Sequence, residues 1–315
     1  MNRKLRTLAA VIAGLWGCLA VDAHDFEVDG IYYNVISTGE MTVAVTYRGD
    51  YTSAYSDAYS GAVTIPSSVT YIGKEYSVMN IGGYAFSGCT GLASITIPES
   101  VVSIGEGAFS GCGSLISVII GKRVATIGGS AFSQCTSLKD VVFEDGDEIL
   151  AIECDSRRGL FYDCPLEKVY LGRNLNYDTS SNAGSSPFYK KGALTSLIIG
   201  PEVTEIGEKA FSGCGIDSIA SYAAVPPTCY TSTFAGVDTS IPVYVPETSV
   251  TDYQSAEVWK DFLGLVGVDT GIDNQQLTTD KGQQTTFIYD LMGHRIASAE
   301  GLKGIYVVGG KKVLF

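Results

Sequence analysis

Apolar residues recur along this chain as one phrase, L-x-x-I-x-I. It reads Leu92, Ile95, Ile97; then Leu115, Val118, Ile120; Leu138, Val141, Phe143; Leu166, Val169, Leu171; and Leu194, Leu197, Ile199, with Ile216 and Ile219 beginning a weaker copy. The last two members of each triplet stand two residues apart, the period of a short strand with one face buried. A second apolar group follows the first triplet, formed by Val101, Ile104, Ala108, Phe109 and Cys112. Read together, the two groups describe a strand that leaves and a return path that comes back, both pointing inward.

The phrase has a fixed period. Ile81, Ile104 and Ile127 are 23 apart, as are Phe86, Phe109 and Phe132. The phenylalanine continues through Phe161, Phe188, Phe211 and Phe234, with gaps of 29 and 27 residues flanking Phe161 and 23 afterwards. The two long gaps are insertions, around 145–159 and 176–187, and insertions in stacked repeats map to loops on one edge. Upstream, Ile65-Pro66 matches Ile97-Pro98, so 62–78 is a partial copy. A period in this range predicts a solenoid, with one short parallel β-strand per coil and mostly β and loop structure. One coil cannot bury its own apolar face, so stability is collective and both ends need caps.

The phrase SVMNIGGYAFSGCTGLASITIPESVVSIGEGAFSGC resembles the BspA-like leucine-rich repeats of bacterial surface proteins. The resemblance covers roughly residues 25–265 and extends to the flanks DGIYYNVIS and IPVYVPETSVTDYQSAEVWKDF. It implies a leucine-rich repeat solenoid on a secreted or surface-attached protein, often linked to adhesion to host proteins or other cells. It implies no reaction.

The ends read as separate modules. Ile31-Tyr33-Val35 and Val43-Val45-Tyr47 alternate around Ser37-Thr38-Gly39-Glu40, which predicts a β-hairpin capping the first coil. Tyr253, Ala256, Trp259, Lys260 and Leu263 fall at helical spacing and predict a helix across 249–263 that closes the last coil. Residues 287–315 begin a new β pattern, with Gly309-Gly310 able to turn a hairpin. That segment is similar to the sorting domains of type IX secretion, which would make it an export address; the other reading is a small β-module that pads or dimerises the solenoid. The predicted division is a signal peptide at 1–23, an N-terminal cap and first partial repeat at 24–80, and the solenoid at 81–240. A C-terminal cap at 241–267, a linker at 268–286 and the C-terminal β-module at 287–315 complete it.

Arg3, Lys4 and Arg6 precede an apolar run from Leu8 to Val21, and Val21-Asp22-Ala23 offers a cleavage site after Ala23. The competing reading is a lipoprotein box at Cys18, where Trp16 fits poorly. Either reading places the protein outside the cytoplasm or on the outer surface, and no later stretch is long enough for a transmembrane span. Net charge is −13, and losing Arg3, Lys4, Arg6 and Asp22 with the signal takes it to −15. That balance argues against nucleic acid and anionic membrane as partners.

Chemistry-bearing residues are sparse. There are two histidines, His24 and His294, and no triad, P-loop or HExxH can be assembled, so the sequence predicts no enzyme, metal or cofactor. Cys89, Cys112, Cys135, Cys164 and Cys214 each stand three residues after a repeat phenylalanine, which predicts a ladder of small buried thiols. Neighbouring rungs would lie near disulfide distance, so oxidation between them stays open. Cys154 and Cys229 lie off the ladder and are the candidates for exposure. Glu144, Asp145, Asp147 and Glu148 form an acidic cluster that reads as a solvated loop.

Between the inward members of each triplet, Thr96, Ile119, Val142, Tyr170, Ile198 and Ala220 point outward. Stacking aligns them as an exposed, largely apolar stripe, with Ser94, Ser117, Asp140, Lys168 and Ser196 as a polar rim. The stripe reads either as a docking surface or as plain strand propensity. A set of glutamates at Ile119, Val142 and Ile198 would then abolish binding and keep the fold. Arg48-Gly49-Asp50 is the tripeptide that integrins recognise, and equally a turn after the strand MTVAVTY. Tyr47, Tyr51, Tyr55 and Tyr59 recur every four residues nearby and read as cap packing. Two functions remain: a secreted or surface protein that binds an extracellular protein or glycan, on host matrix or another cell, through its strand face; or an envelope scaffold with no dedicated ligand there. Oligomeric state is not encoded in these patterns.

Overall fold

A computed structural model describes residues 24–49, 58–153, 159–178 and 186–268, and the backbone of four strands between 288 and 314. The signal peptide, most of the linker, Asp50, Tyr51, Tyr55, Cys154 and His294 lie outside the described residues.

The triplets form one parallel sheet. Strands Ser117–Ile120, Asp140–Phe143, Lys168–Leu171, Ser196–Ile199, Ser218–Ser221, Pro242–Pro246 and Gly264–Val268 follow one another in chain order. The repeat sets the register, so that Val118, Val141, Val169, Leu197, Ile219 and Val243 lie side by side. The first triplet strand, Leu92–Thr96, pairs in parallel with Gly61–Thr64, so the partial copy contributes its own rung.

The return path forms a second sheet. Lys74–Ile81, Ser103–Ile104, Thr126–Ile127, Leu150–Ile152 and Leu175–Asn176 pair in parallel and in order. Glu205–Ile206 pairs with Thr228–Cys229 further along. The predicted N-terminal hairpin is present as Ile31–Ser37 against Thr42–Thr46. Its second strand pairs in parallel with Lys74–Ile81, so the hairpin extends this sheet.

Between the sheets runs a stack of rings. Phe86, Phe109, Phe132, Phe161, Phe188, Phe211 and Phe234 follow at centroid spacings of 5.0, 5.1, 5.6, 5.7, 5.0 and 5.7 Å, with interplanar angles of 22° or less. Parallel strands lie roughly 4.8 Å apart, so one ring per coil lands in the offset-stacked range. The stack ends with rings that turn away from it. Tyr59 tilts by 42° onto Phe86, donating its hydroxyl to Thr46 O and accepting from Tyr32 N. At the other end Trp259 and Phe262 meet Phe234 edge-on, each at 5.6 Å.

The coils touch through backbone as well. A Cβ on Gly105 would lie 2.4 Å from Gly83 N, and one on Gly128 would lie 2.3 Å from Glu106 N. The glycine after the repeat isoleucine is therefore demanded by the distance between neighbouring chains.

The C-terminal cap departs from the predicted single helix. Helix is confined to Val250–Ser255, followed by a 3-10 turn at Trp259–Asp261 and the strand Gly264–Val268. Tyr253 and Trp259 are buried as the spacing implies, but Leu263 is 82% exposed and Phe262 takes the inward place. Trp259 and Phe262 reach Phe234 from the 3-10 turn and the residue that follows it, and the chain then joins the sheet as its last strand. Val258, at φ +71° and ψ −47°, makes the break.

Strands Ile288–Asp290, Arg295–Ile296, Ile305–Val308 and Lys311–Leu314 form a separate antiparallel sheet. Val308 pairs with Lys311, so Ile305–Val308 and Lys311–Leu314 are antiparallel neighbours in the register the predicted hairpin requires.

Candidate functional site

The outward residues do align. Ile119, Val142, Tyr170, Ile198, Ala220, Tyr244 and Val266 are register partners across six successive strand pairs. They are not, however, an exposed stripe. Val142 is 0% exposed, and Tyr170, Ile198 and Ala220 are buried with it in an apolar cluster distinct from the main core. Ile119, Tyr222 and Tyr244 pack against that cluster. Rungs one strand spacing apart bring aromatic side chains within reach of their neighbours, so the large residues and the small ones, Ala220 and Val142, bury one another. The column is accessible only toward its ends: Thr96 is exposed, Ile119 half-buried, and Val266 is 42% exposed. Of the rim, Ser94 and Lys168 are exposed, while Ser117, Asp140 and Ser196 are half-buried.

The first insertion is anchored where it leaves the sheet. Tyr170 donates its hydroxyl to Asp145 Oδ1 at 2.6 Å, and burial with that carboxylate raises the phenol's pKa. Glu144 Oε2 accepts from Lys122 N at 3.1 Å. Beneath lies Arg173, fully buried, donating Nη1 to Lys122 O and Nη2 to Gly121 O, with Nε left without a partner. Burial lowers its pKa to about 10, so it stays cationic at neutral pH. The solvated-loop reading holds only for Asp147 and Glu148, which are exposed. Among the described residues no group of three or more His, Cys, Asp or Glu side chains is placed to hold a metal ion.

The thiol ladder has a chemical purpose in the fold. Cys112, Cys135, Cys164 and Cys214 each donate Sγ–H to the carbonyl of the phenylalanine one coil back, Phe86, Phe109, Phe132 and Phe188. The six described cysteines are buried thiols. Cys229 is among them, against the expectation of exposure; it sits behind the capping Trp259, whose Nε1 donates to Pro227 O, the carbonyl that Cys229 also reaches. The series has two departures. Val237 stands three residues after Phe234, and Lys191 stands three residues after Phe188, where its Nζ donates to Phe161 O at 2.5 Å.

A family model described as the BspA type leucine rich repeat region matches six copies over residues 51–181, 156–236 and 181–255. The chain belongs to the BspA type leucine-rich repeat family. A solved leucine-rich repeat protein from Bacteroides ovatus is 25% identical, with a TM-score of 0.49; the alignment covers 73% of this chain and 57% of that one. The chain thus spans little more than half the length of that relative. A leucine-rich repeat protein from Bacteroides capillosus is also 25% identical over 48% of this chain and 97% of its own, at a TM-score of 0.37. A structure titled a leucine rich cell surface protein, from Faecalibacterium prausnitzii, is 16% identical over 75% of this chain and 90% of its own, at a TM-score of 0.29. No curated protein matches.

Within this BspA type chain, the tripeptide Arg48-Gly49-Asp50 is only partly described. Arg48 is exposed, and Gly49 is buried at φ +84°, the conformation of a turn. Tyr59 alone of the four spaced tyrosines is both described and buried, and it supplies the first rung of the ring stack. Sequence reasoning missed Tyr222, Tyr244 and Val266 because they follow the last clear triplet. Lys191 was legible, since counting three from Phe188 finds it.

Proposed function

We propose that this BspA type protein is displayed at the bacterial cell surface and binds an extracellular protein or glycan, in adhesion, without catalysis. Family membership supports the surface location and the binding class. The observation that carries the choice of surface is the opening of the outward column toward the first coils, where Thr96 is exposed and Ile119 half-buried beside Ser94 and Ser117. Ligand contact belongs there and along the rim at Asp140, Lys168 and Ser196, while Val142, Tyr170 and Ile198 support that surface from within. The sealed centre of the column favours the second reading, an envelope scaffold with no ligand on this face.

The test is binding of the purified exported chain to immobilised matrix proteins, glycoproteins and cell-wall glycans, with Thr96→Glu and Ile119→Glu variants alongside. Saturable binding that both variants lose supports the adhesin. Binding that neither variant changes, or none to any surface, supports the scaffold.

A further inference from the structure

The turn after four of the seven repeat phenylalanines follows one recipe. The first residue is serine at Ser87, Ser110, Ser133 and Ser212, the second lies at positive φ, and the third is cysteine. Glycine fills the second place at Gly88, Gly111, Gly213 and Gly236. The last coil departs from it with small and apolar residues, Ala235 and Val237, whereas the two adjacent coils built on Phe161 and Phe188 depart with aromatic and charged ones. They carry Tyr162-Asp163-Cys164 and Tyr189-Lys190-Lys191. Asp163 and Lys190 hold φ of +59° and +55°, as Gln134 does at +61°, so these two coils carry a charged side chain at a position whose conformation favours glycine.

These departures line one cavity of about 810 Å³, with Tyr162, Asp163, Pro187, Tyr189, Lys190 and Lys191 in its wall. That volume lies in the range that takes small ligands. Tyr162 is 43% exposed, and the Lys190 ammonium sits 5.1 Å above the Tyr189 ring. Lys191 spends one of its three donors on Phe161 O. Two adjacent cations against one carboxylate give the wall a positive balance on a chain whose net charge is −13. In a repeat protein the common residues build the stack, and the departures are what distinguish one face from another.

We propose that this cleft is a saccharide site that takes a pyranose bearing a carboxylate. A sugar ring offers an apolar C–H face that lies on a tyrosine ring, and hydroxyls that donate to a carboxylate such as Asp163. The sugar carboxylate meets Lys190 and Lys191 as charge-assisted hydrogen bonds. This site is remote in sequence from Thr96 and Ile119 and stands or falls apart from the strand face.

Isothermal titration of the full exported chain tests it, using a glucuronate-containing oligosaccharide, a sialylated one and a neutral one of equal length. Saturable binding of either acidic sugar, roughly tenfold or more tighter than the neutral one, is the expected result, and the two acidic arms identify the source of the carboxylate. Lys190→Gly suits the local φ and so preserves folding; it should weaken acidic binding by roughly tenfold with no fall in the unfolding temperature. Tyr189→Ala should weaken it as well. Failure of every sugar to bind, equal binding of acidic and neutral sugars, or unchanged binding by Lys190→Gly would each overturn the proposal.

Discussion

At the scale of single residues, the fold is governed by what must be absent as much as by what packs. Gly105 and Gly128 have no room for a Cβ, because the neighbouring atoms are backbone and cannot rotate away. Gly128→Ala should cost on the order of 3 kcal/mol in urea unfolding, at the upper end of ordinary overpacking. Val258 makes the opposite case. A β-branched residue in the strained γ-turn region at φ +71° is an outlier. Val258→Gly should stabilise the chain by about 1 kcal/mol, the relieved strain exceeding glycine's extra freedom when unfolded. A lower unfolding midpoint would show that the Val258 side chain, which packs against the core, outweighs its backbone. Inward residues were legible from the sequence, because Leu, Val and Ile at fixed spacing leave few alternatives. Outward burial was not. Whether Val142 is covered depends on Tyr170 one strand away, and on a hydroxyl contact to Asp145 that no periodicity carries.

At the scale of elements, the unit is the rung. Phe109 lies between Phe86 and Phe132 with almost parallel rings on both sides. Phe109→Ala should lose about 3–5 kcal/mol, and a loss under about 1 kcal/mol would show that neighbouring coils collapse into the gap. Burial of the ladder thiols and of Cys229 predicts that Cys89, Cys112, Cys135, Cys164, Cys214 and Cys229 resist a thiol reagent at pH 8 until denaturant is added; fast labelling at any of these six positions in the folded chain would contradict it. Strands, hairpins and the ring stack were readable because each coil repeats its own evidence. The C-terminal cap was read as one helix because Tyr253, Trp259 and Leu263 mimic helical spacing. The competing demand, edge-on packing of both Trp259 and Phe262, is a tertiary one.

At the scale of the molecule, the shared interior couples stability to alkaline pH. Burial raises the Cys214 thiol from 9.0 to about 11, and burial with the Glu205 charge raises Cys229 to about 12. Burial also raises the Tyr253 phenol to about 12. A group whose folded pKa is raised contributes fully below its unfolded pKa and loses that contribution as pH climbs through the folded one. Stability should therefore hold to about pH 9 and fall between pH 9 and 12, with a shallower decline in Cys214→Ala. A flat profile across that window would mean the thiols ionise in the folded state. The same collective packing bears on where the proposed binding surfaces lie. Most outward positions of the central coils are buried in the column on the sheet, which leaves the opening coils and the cleft between the fourth and fifth phenylalanines as the proposed places of contact.

The comparison that bears most directly on this division is one glutamate placed at Ile119 and one at Ile198, each measured for urea unfolding and for binding to the same ligand surface. The account predicts that Ile119→Glu folds within about 1 kcal/mol of the parent and loses binding, while Ile198→Glu loses several kcal/mol because an unpaired charge enters a closed apolar cluster. Equal stability of the two variants would contradict the sealed column, and binding retained by a folded Ile119→Glu would contradict the strand face as the place of contact.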